Sequence, residues 1–310
     1  MSIRQIGIVN QVLSTIARGY KNPAYVAEYL FPTVYVEKEG VSVPVFAADE
    51  FLLYETERAP RADSNVMTPE SDSTIDIVLK EHDLVRPVDY REEAASMFNR
   101  SKQAARKVTD SLRLKHEMEC ASLAQDATKY PSGHKIALSS GSYLEELSAP
   151  TRLIKEGKEV IADTIGIEPN TMIIGSRPWA TFTEHPDILS RMSATNTKIM
   201  TEELAAQMLE ISKVKVGRAT YRQRNGQKVR IWDNSIILAY VPENDGTRSE
   251  EEPSFGYTLR LEGKDMVIDE YPSNGGKVNN VRCTDIRKSA ILGADAGYLI
   301  TNVTSTGFTW

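Results

Sequence analysis

The chain has 310 residues, 41% hydrophobic and 26% charged, the composition of an ordinary globular protein with one large or two modest domains. A formal charge of -6 and an isoelectric point near 5.5 argue against a protein whose main surface grips nucleic acid, because such surfaces concentrate Lys and Arg against phosphates. Cys120 and Cys283 stand far apart without metal-ligand spacing, so neither a disulfide framework nor a zinc site is expected and the usage fits a reducing compartment.

Ile6, Val9, Leu13 and Ile16 recur at three- and four-residue intervals and predict one face of a short helix ending near Gly19, a face that needs a partner surface. Gln5, Asn10 and Gln11 interrupt this region, so it does not read as a signal peptide, and no apolar run of about 18 residues predicts a membrane span. Asn22-Pro23 then predicts the start of a second short helix, Ala24 to Leu30, with Asn as cap and Pro in the first helical position.

From Thr33 to about Val88 the stretches TVYV, VSVPVF, TIDIVL and LVRPV predict strands, separated by a polar segment from Glu55 to Ser73 that carries two prolines. The expectation is a long two-stranded excursion with a solvated tip. Such a ribbon is marginal alone in water and needs a surface to lie on.

Asp89 followed by Glu92 reads as a capping box, and neither Pro nor Gly occurs again before about Gln125. The prediction is one helix of roughly 35 residues, about 50 Å long. Its apolar stripe is Ala94, Phe98, Ala105, Val108 and Leu112, drifting to Leu114, Met118 and Ala121, without sustained heptads. This pattern predicts a helix laid across a sheet.

After SSGS at Ser139 to Ser142 the texture alternates: a helix from about Ala149 to Ile165, the strand TMIIG, and helices near Trp179, Asp187 and Glu202. The strand pairs KVKVGRATYR and KVRIWDNSIILAYV complete an α/β unit. An acidic loop, Gly246 to Pro253, leads into four strands: YTLRLEG, DMVIDEY, VNNVRCTDIRKSAIL and AGYLITNV.

A search for chemistry finds little. HEMEC, His116 to Cys120, starts like a zinc-protease helix but has Cys where a second His belongs, so His116 is expected to be a surface residue of the long helix. Gly263-Lys264 and Gly276-Lys277 lack the Gly and the Ser or Thr of a phosphate loop and are expected to be turns. There is no nucleophile elbow or dinucleotide fingerprint, and Trp179 and Trp232 are expected to pack in a core or interface. No catalytic residue, metal ligand or cofactor site is nominated. An arm, a ribbon and a spine without an active site suggest assembly.

The ordered stretches NPAYVAEYLFPTVYV, VFAADEFLLYETERAPRADSN, VDYREEAASMF through LKHEMECASLA, PNTMIIGSRPWATFTEHPDIL with TEELAAQMLEISKVKVGRATY, and SFGYTLR with ADAGYLITNV cover nearly the whole chain. Together they resemble the major capsid proteins of tailed bacteriophages, the Hong Kong 97-type fold shared with encapsulin shells. The resemblance implies an α+β chain with an N-terminal arm and first strand (1–38), an extended β-hairpin loop (39–88), a peripheral domain with spine helix (89–148 and 256–310) and an axial α/β domain (149–255).

It further implies hexamers and pentamers of an icosahedral shell around double-stranded DNA, a virion protein assembled in the host cytoplasm, with a portal and a decoration protein as companions. Contact with the DNA is expected to be weak and non-specific. No charged coiled-coil segment precedes the arm, and the sequence begins with Met1, so scaffolding is expected to be a separate protein. The arm residues Ile6, Val9, Leu13 and Ile16 and the tip residues Glu57, Arg58 and Arg61 become candidate inter-subunit contacts, with arm and ribbon packing on neighbours rather than on a core of their own. The rivals are an encapsulin-like compartment shell and, from another class, a small-molecule enzyme with an α/β domain.

Overall fold

The computed structural model describes residues 8–9, 25–44, 56–58, 74–94, 99–145, 149–194, 199–243 and 254–305. Strand β1 (Ile8–Val9) is followed by helix α1 (Ala27–Leu30) and strands β2 (Thr33–Val36), β3 (Gly40–Pro44), β4 (Thr74–Val78) and β5 (Lys80–Asp89). Helices α2 (Tyr90–Ala94) and α3 (Arg100–Ala124) precede β6 (Lys135–Ala137). The next stretch is α4 (Pro150–Ile165), β7 (Thr171–Gly175), α5 (Ser176–Glu184), α6 (Pro186–Ala194), α7 (Glu202–Leu209) and β8 (Lys213–Gly217). Strands β9 (Thr220–Arg222), β10 (Lys228–Arg230), β11 (Ser235–Ala239), β12 (Gly256–Leu261), β13 (Val267–Ser273), β14 (Val278–Ile291) and β15 (Gly297–Thr301) complete the set.

Two principal sheets organise these elements. In the six-stranded sheet the long strand β14 is central: β13 and β12 share one of its sides, β5 runs antiparallel along the other, and β1 and β2 close the ends. The five-stranded sheet has the order β6-β15-β11-β7-β8, with β6 and β8 as parallel edges on an antiparallel centre. It draws 135–137 and 297–301 together with the expected axial segment. β3 and β4 form a separate two-stranded ribbon, and β9 and β10 a short hairpin.

The five-stranded sheet is buried on both faces. Met172, Ile174, Ile236, Leu238 and Ile300 face α4, α5 and α7, while Ile173, Ile237, Ala239 and Leu299 face α1, Trp232 and the C-terminal part of α3. Continuous β-branched and aliphatic runs such as SIILA suit strands enclosed on both sides. Helix α4 begins with Pro150 at its first turn, buries Ile154 and Ile161, and ends at Gly166 with φ 69°.

The expected single spine helix is two helices. The Asp89 carboxylate accepts from the amide of Arg91 at 2.9 Å, a local turn rather than a capping box, and α2 ends at Ala94, which is exposed rather than part of the apolar stripe. Asn99 then takes an extended conformation (φ -67°, ψ 105°) and accepts from the amide of Lys102 at 2.8 Å, starting α3 afresh. The spine proper has 25 residues, about 37 Å at 1.5 Å per residue.

The spine lies across a sheet as expected, and the drift of its stripe has a physical cause. Ala104, Ala105, Val108 and Leu112 pack on Ile268, Val281 and Cys283 of the six-stranded sheet. About two to three turns later Cys120, Ala121 and Ala124 pack with Trp232, Ile237 and Leu299 against the five-stranded sheet. The helix changes its buried face because it changes sheets.

The N-terminal expectations change more. Ile8–Val9, placed in a helix by periodicity, pair antiparallel with Asp269 and Glu270, because the open edge of β13 supplies hydrogen bonds that a short isolated helix lacks. Helix α1 is one turn starting at Ala27, and Asn22-Pro23 lies outside the described residues. Its surroundings are internal: Val26, Ala27, Leu30 and Phe31 are buried with Phe255, Tyr130 and Trp232. The ribbon root is internal too, with Val43, Ile77 and Leu79 packed on Val34, Val36, Tyr257 and Leu259. The expectation that arm and ribbon have no core of their own fails for these roots. Gly263 and Gly276 do sit in turns, with φ 73° and 85°.

Candidate functional site

The most constrained polar structure in the chain is a joint on α3, where the helix leaves one sheet for the other. Glu117 is 2% exposed and its carboxylate accepts three hydrogen bonds: Val26 N at 2.8 Å and Trp232 Nε1 at 2.6 Å to Oε1, and Ala27 N at 3.0 Å to Oε2. Burial raises its pKa, and the donors from Val26, Trp232 and Ala27 oppose that rise. One side chain thus ties the base of the N-terminal segment, the spine and the five-stranded sheet. Trp232 is held by close approach to β8, since a Cβ on Gly217 would sit on the indole.

Beside it runs a buried ion network. Asp285 is 0% exposed and lies 2.9 Å from Arg287 Nε and 3.6 Å from Arg260 Nη1. Arg260 and Arg287 are directly opposite each other on β12 and β14, a like-charge pairing that destabilises a sheet unless carboxylates neutralise it. The chain of partners continues outward: Arg287 to Glu119 at 2.8 Å, Glu119 to Lys115 at 3.5 Å, Arg260 to Asp265, and Tyr35 OH donating to Asp265 at 3.0 Å. Burial raises the Asp285 pKa against the pull of Arg260 and Arg287. For Glu119, burial works upward but Arg287, with His82 and Lys115, leaves the carboxyl lowered.

His116 is a correction to the sequence reading. Instead of lying on the surface it is 4% exposed, with Nε2 at 3.1 Å from Thr258 Oγ1 and 3.3 Å from Ser289 Oγ. Burial, with Arg287 and Arg260 close by, holds its pKa well below the usual imidazole value. Cys120 lies in the same layer at 3.3 Å from Ser289 Oγ, and burial pushes its thiol up to about 12. That is an inert structural thiol. Among the described residues no three His, Cys, Asp or Glu side chains converge as metal ligands.

Of the nominated contacts, Ile6, Leu13, Ile16 and Arg61 lie outside the described residues, and Val9 is placed by its backbone pairing with Asp269. Glu57 and Arg58 are exposed. The structure therefore brings none of the seven into one described cluster. The ribbon does present aliphatic surface, with Ile75 42% and Val78 66% exposed.

Sequence reasoning missed the joint and the ion network. A signal exists for the latter: Val281, Cys283, Asp285, Arg287 and Ser289 share one face of β14 by alternation, and all five are buried. Glu117 carries no such signal, because its partners are two backbone amides and an indole from distant segments.

A family model described as phage major capsid protein E matches residues 21–283. The chain is 40% identical over 304 residues to a major capsid protein of Burkholderia phage BcepMu, covering 97% of this chain and 98% of that protein. A solved phage-related protein of Bordetella bronchiseptica RB50 superposes with a TM-score of 0.81 at 28% identity, covering 96% and 99% of the two chains. The capsid of a native GTA particle, computed with C5 symmetry, shares the fold at a TM-score of 0.59 and 12% identity over 98% and 95%.

Proposed function

Because the chain belongs to the phage major capsid protein E family and is the major capsid protein of a phage, we propose that it closes into an icosahedral shell of hexamers and pentamers that encloses double-stranded DNA. The α+β fold is the Hong Kong 97-type capsid fold, the protein is a structural component of the virion, and its assembly partner is itself. The five-fold symmetry named for the GTA capsid supports pentamers here by analogy. Segments 1–38 and 39–88 serve as arm and extended loop, 89–148 with 256–310 as peripheral domain and 149–255 as axial domain, the strands 135–137 and 297–301 being lent to the axial sheet. A separate scaffolding protein and a portal complete the assembly, which takes place in the host cytoplasm.

The observation that carries this reading is the ribbon. β3 and β4 pair with each other alone among the described residues, and Ile75 and Val78 on β4 face solvent although the ribbon root is buried. A two-stranded ribbon with exposed aliphatics gains stability only when a further surface covers it. Each buried apolar Å² contributes about 25 cal/mol once a neighbour supplies that surface, so assembly is cooperative. In this reading the arm acts in the same way.

Deleting residues 1–20 is expected to leave a soluble chain that no longer forms closed shells in electron micrographs. Uniform closed particles from the deleted chain would refute the role assigned to the arm.

A further inference from the structure

The chain as a whole is acidic, yet residues 100–115 hold six cations, Arg100, Lys102, Arg106, Lys107, Arg113 and Lys115, against the single carboxylate of Asp110. All lie on α3, whose apolar positions in this stretch face the six-stranded sheet. Arg100, Lys102, Arg106, Lys107 and Lys115 are exposed and Arg113 is half-buried. Helical spacing puts Lys102, Arg106 and Arg113 along one flank of the exposed side and Arg100 and Lys107 along the other, about 120° round the helix. Together these five cations run for about 20 Å along the outward side of the helix.

Among the described residues little neutralises this face. Lys115 pairs with Glu119 at 3.5 Å, Arg113 acts on Asp110, and Glu93 of α2 accepts from the hydroxyl of Ser101 at 3.3 Å. Among the described residues no ion pair engages Arg100, Lys102, Arg106 or Lys107, and Arg100 reaches only Gln103, at 3.4 Å. The face also lacks anchors for a protein partner: none of the exposed large hydrophobic side chains lies on α3, and protein interfaces are depleted in Lys and enriched in aromatics. A cation row without apolar anchors matches a regular polyanion. Its Arg and Lys side chains sit on a rigid helix whose other side is fixed by packing.

We propose that the outward face of α3 is a sequence-independent contact for the phosphate backbone of duplex DNA. The inference rests on the reading that the shell encloses DNA and assigns the contact surface within it. Binding of this kind comes from released counterions and reads no bases. It is weak and strongly salt-dependent, in keeping with a chain whose total charge is -6.

The test uses the full chain before assembly and a labelled duplex of about 20 base pairs, followed by fluorescence anisotropy from about 50 to 200 mM salt. The variant Lys102→Gln, Arg106→Gln, Lys107→Gln is expected to bind at least about tenfold more weakly at low salt, with a log–log salt slope shallower by about 2 to 3, since each phosphate contact contributes about 0.9. Arg152→Gln with Lys155→Gln, on the exposed side of α4, is expected to bind as the wild type does. Undetectable wild-type binding, an unchanged slope in the triple variant, or an equal loss in the α4 control overturns the proposal. So does competition by polyglutamate as effective as by duplex, which assigns the face to an acidic protein segment. Electron microscopy of the same samples keeps the two readings apart: shells formed by a wild-type chain that ignores DNA sink this inference alone, whereas a wild-type chain that never forms shells sinks the function beneath it.

Discussion

The five-stranded sheet encloses apolar side chains on both faces, whereas the six-stranded sheet encloses Arg260, Asp285 and Arg287 beside its Val, Ile and Cys residues. The first kind of core draws its stability from area removed from water and tolerates conservative exchange. The second depends on charge neutrality, because a buried ion without its partner is costly while the intact set adds little over an apolar replacement. A capsid subunit must hold one shape through different neighbours, and the ion network lies where three strands and the spine converge. Charge pairing there selects one register, Arg260 against Arg287 with Asp285 between them.

The largest effect expected from breaking this contrast comes from Asp285→Asn. Two buried guanidinium groups lose their shared counter-charge, and stability is expected to fall by about 3–5 kcal/mol in urea denaturation. Replacing Arg260, Asp285 and Arg287 together by Met, Leu and Met is expected to cost far less than the single change. Equal losses would mean that packing, not charge balance, governs this sheet as it does the other.

Next comes the joint between the sheets. Glu117→Ala strands the amides of Val26 and Ala27 and the Trp232 indole without an acceptor, at about 1–3 kcal/mol for each unsatisfied group before relaxation and water entry reduce the sum. Glu117→Gln is expected to be milder, since one oxygen remains an acceptor. Hydrogen exchange at Val26 and Ala27 is the specific readout: it should accelerate in both variants even where the global melt moves little, and unchanged protection would remove Glu117 from its role as the tie.

The smallest effect is a pH dependence. His116 has a folded pKa well below its ordinary value of 6.5, so it contributes stability that is complete above pH 6.5 and is lost as the pH falls below it, where the unfolded chain takes the proton first. The slope cannot exceed about 1.4 kcal/mol per pH unit for one proton. Glu117 and Asp285, both raised, act in the opposite sense on acidification, so the difference between wild type and His116→Gln isolates the imidazole. The variant's melting temperature is expected to fall less than the wild type's between pH 7 and 5.5. Parallel curves would mean that His116 titrates normally and is not sealed in the core.

The contrast between the sheets also explains what the sequence revealed. SIILA, TMIIG and the α4 periodicity announce themselves because their burial is apolar and continuous, and α4 adds a Pro start and a Gly stop. The break before α3 was hidden by a stretch without Pro or Gly, where Asn99 acts as a cap only because the chain turns there. His116 looked like a surface residue because its helix is otherwise charged, and only the second strand layer shows Thr258 and Ser289 waiting for it. Val9 followed a helical period that the open edge of β13 overrode. Ile75 and Val78 stand exposed on the ribbon, and no pattern within one chain identifies a surface that would meet them.

The most direct test is negative-stain electron microscopy with light scattering on the purified chain, alone and with its candidate scaffolding protein. Closed, hollow, uniform particles or capsomer rings are the predicted result. A strictly monomeric or dimeric species under every condition would contradict the account.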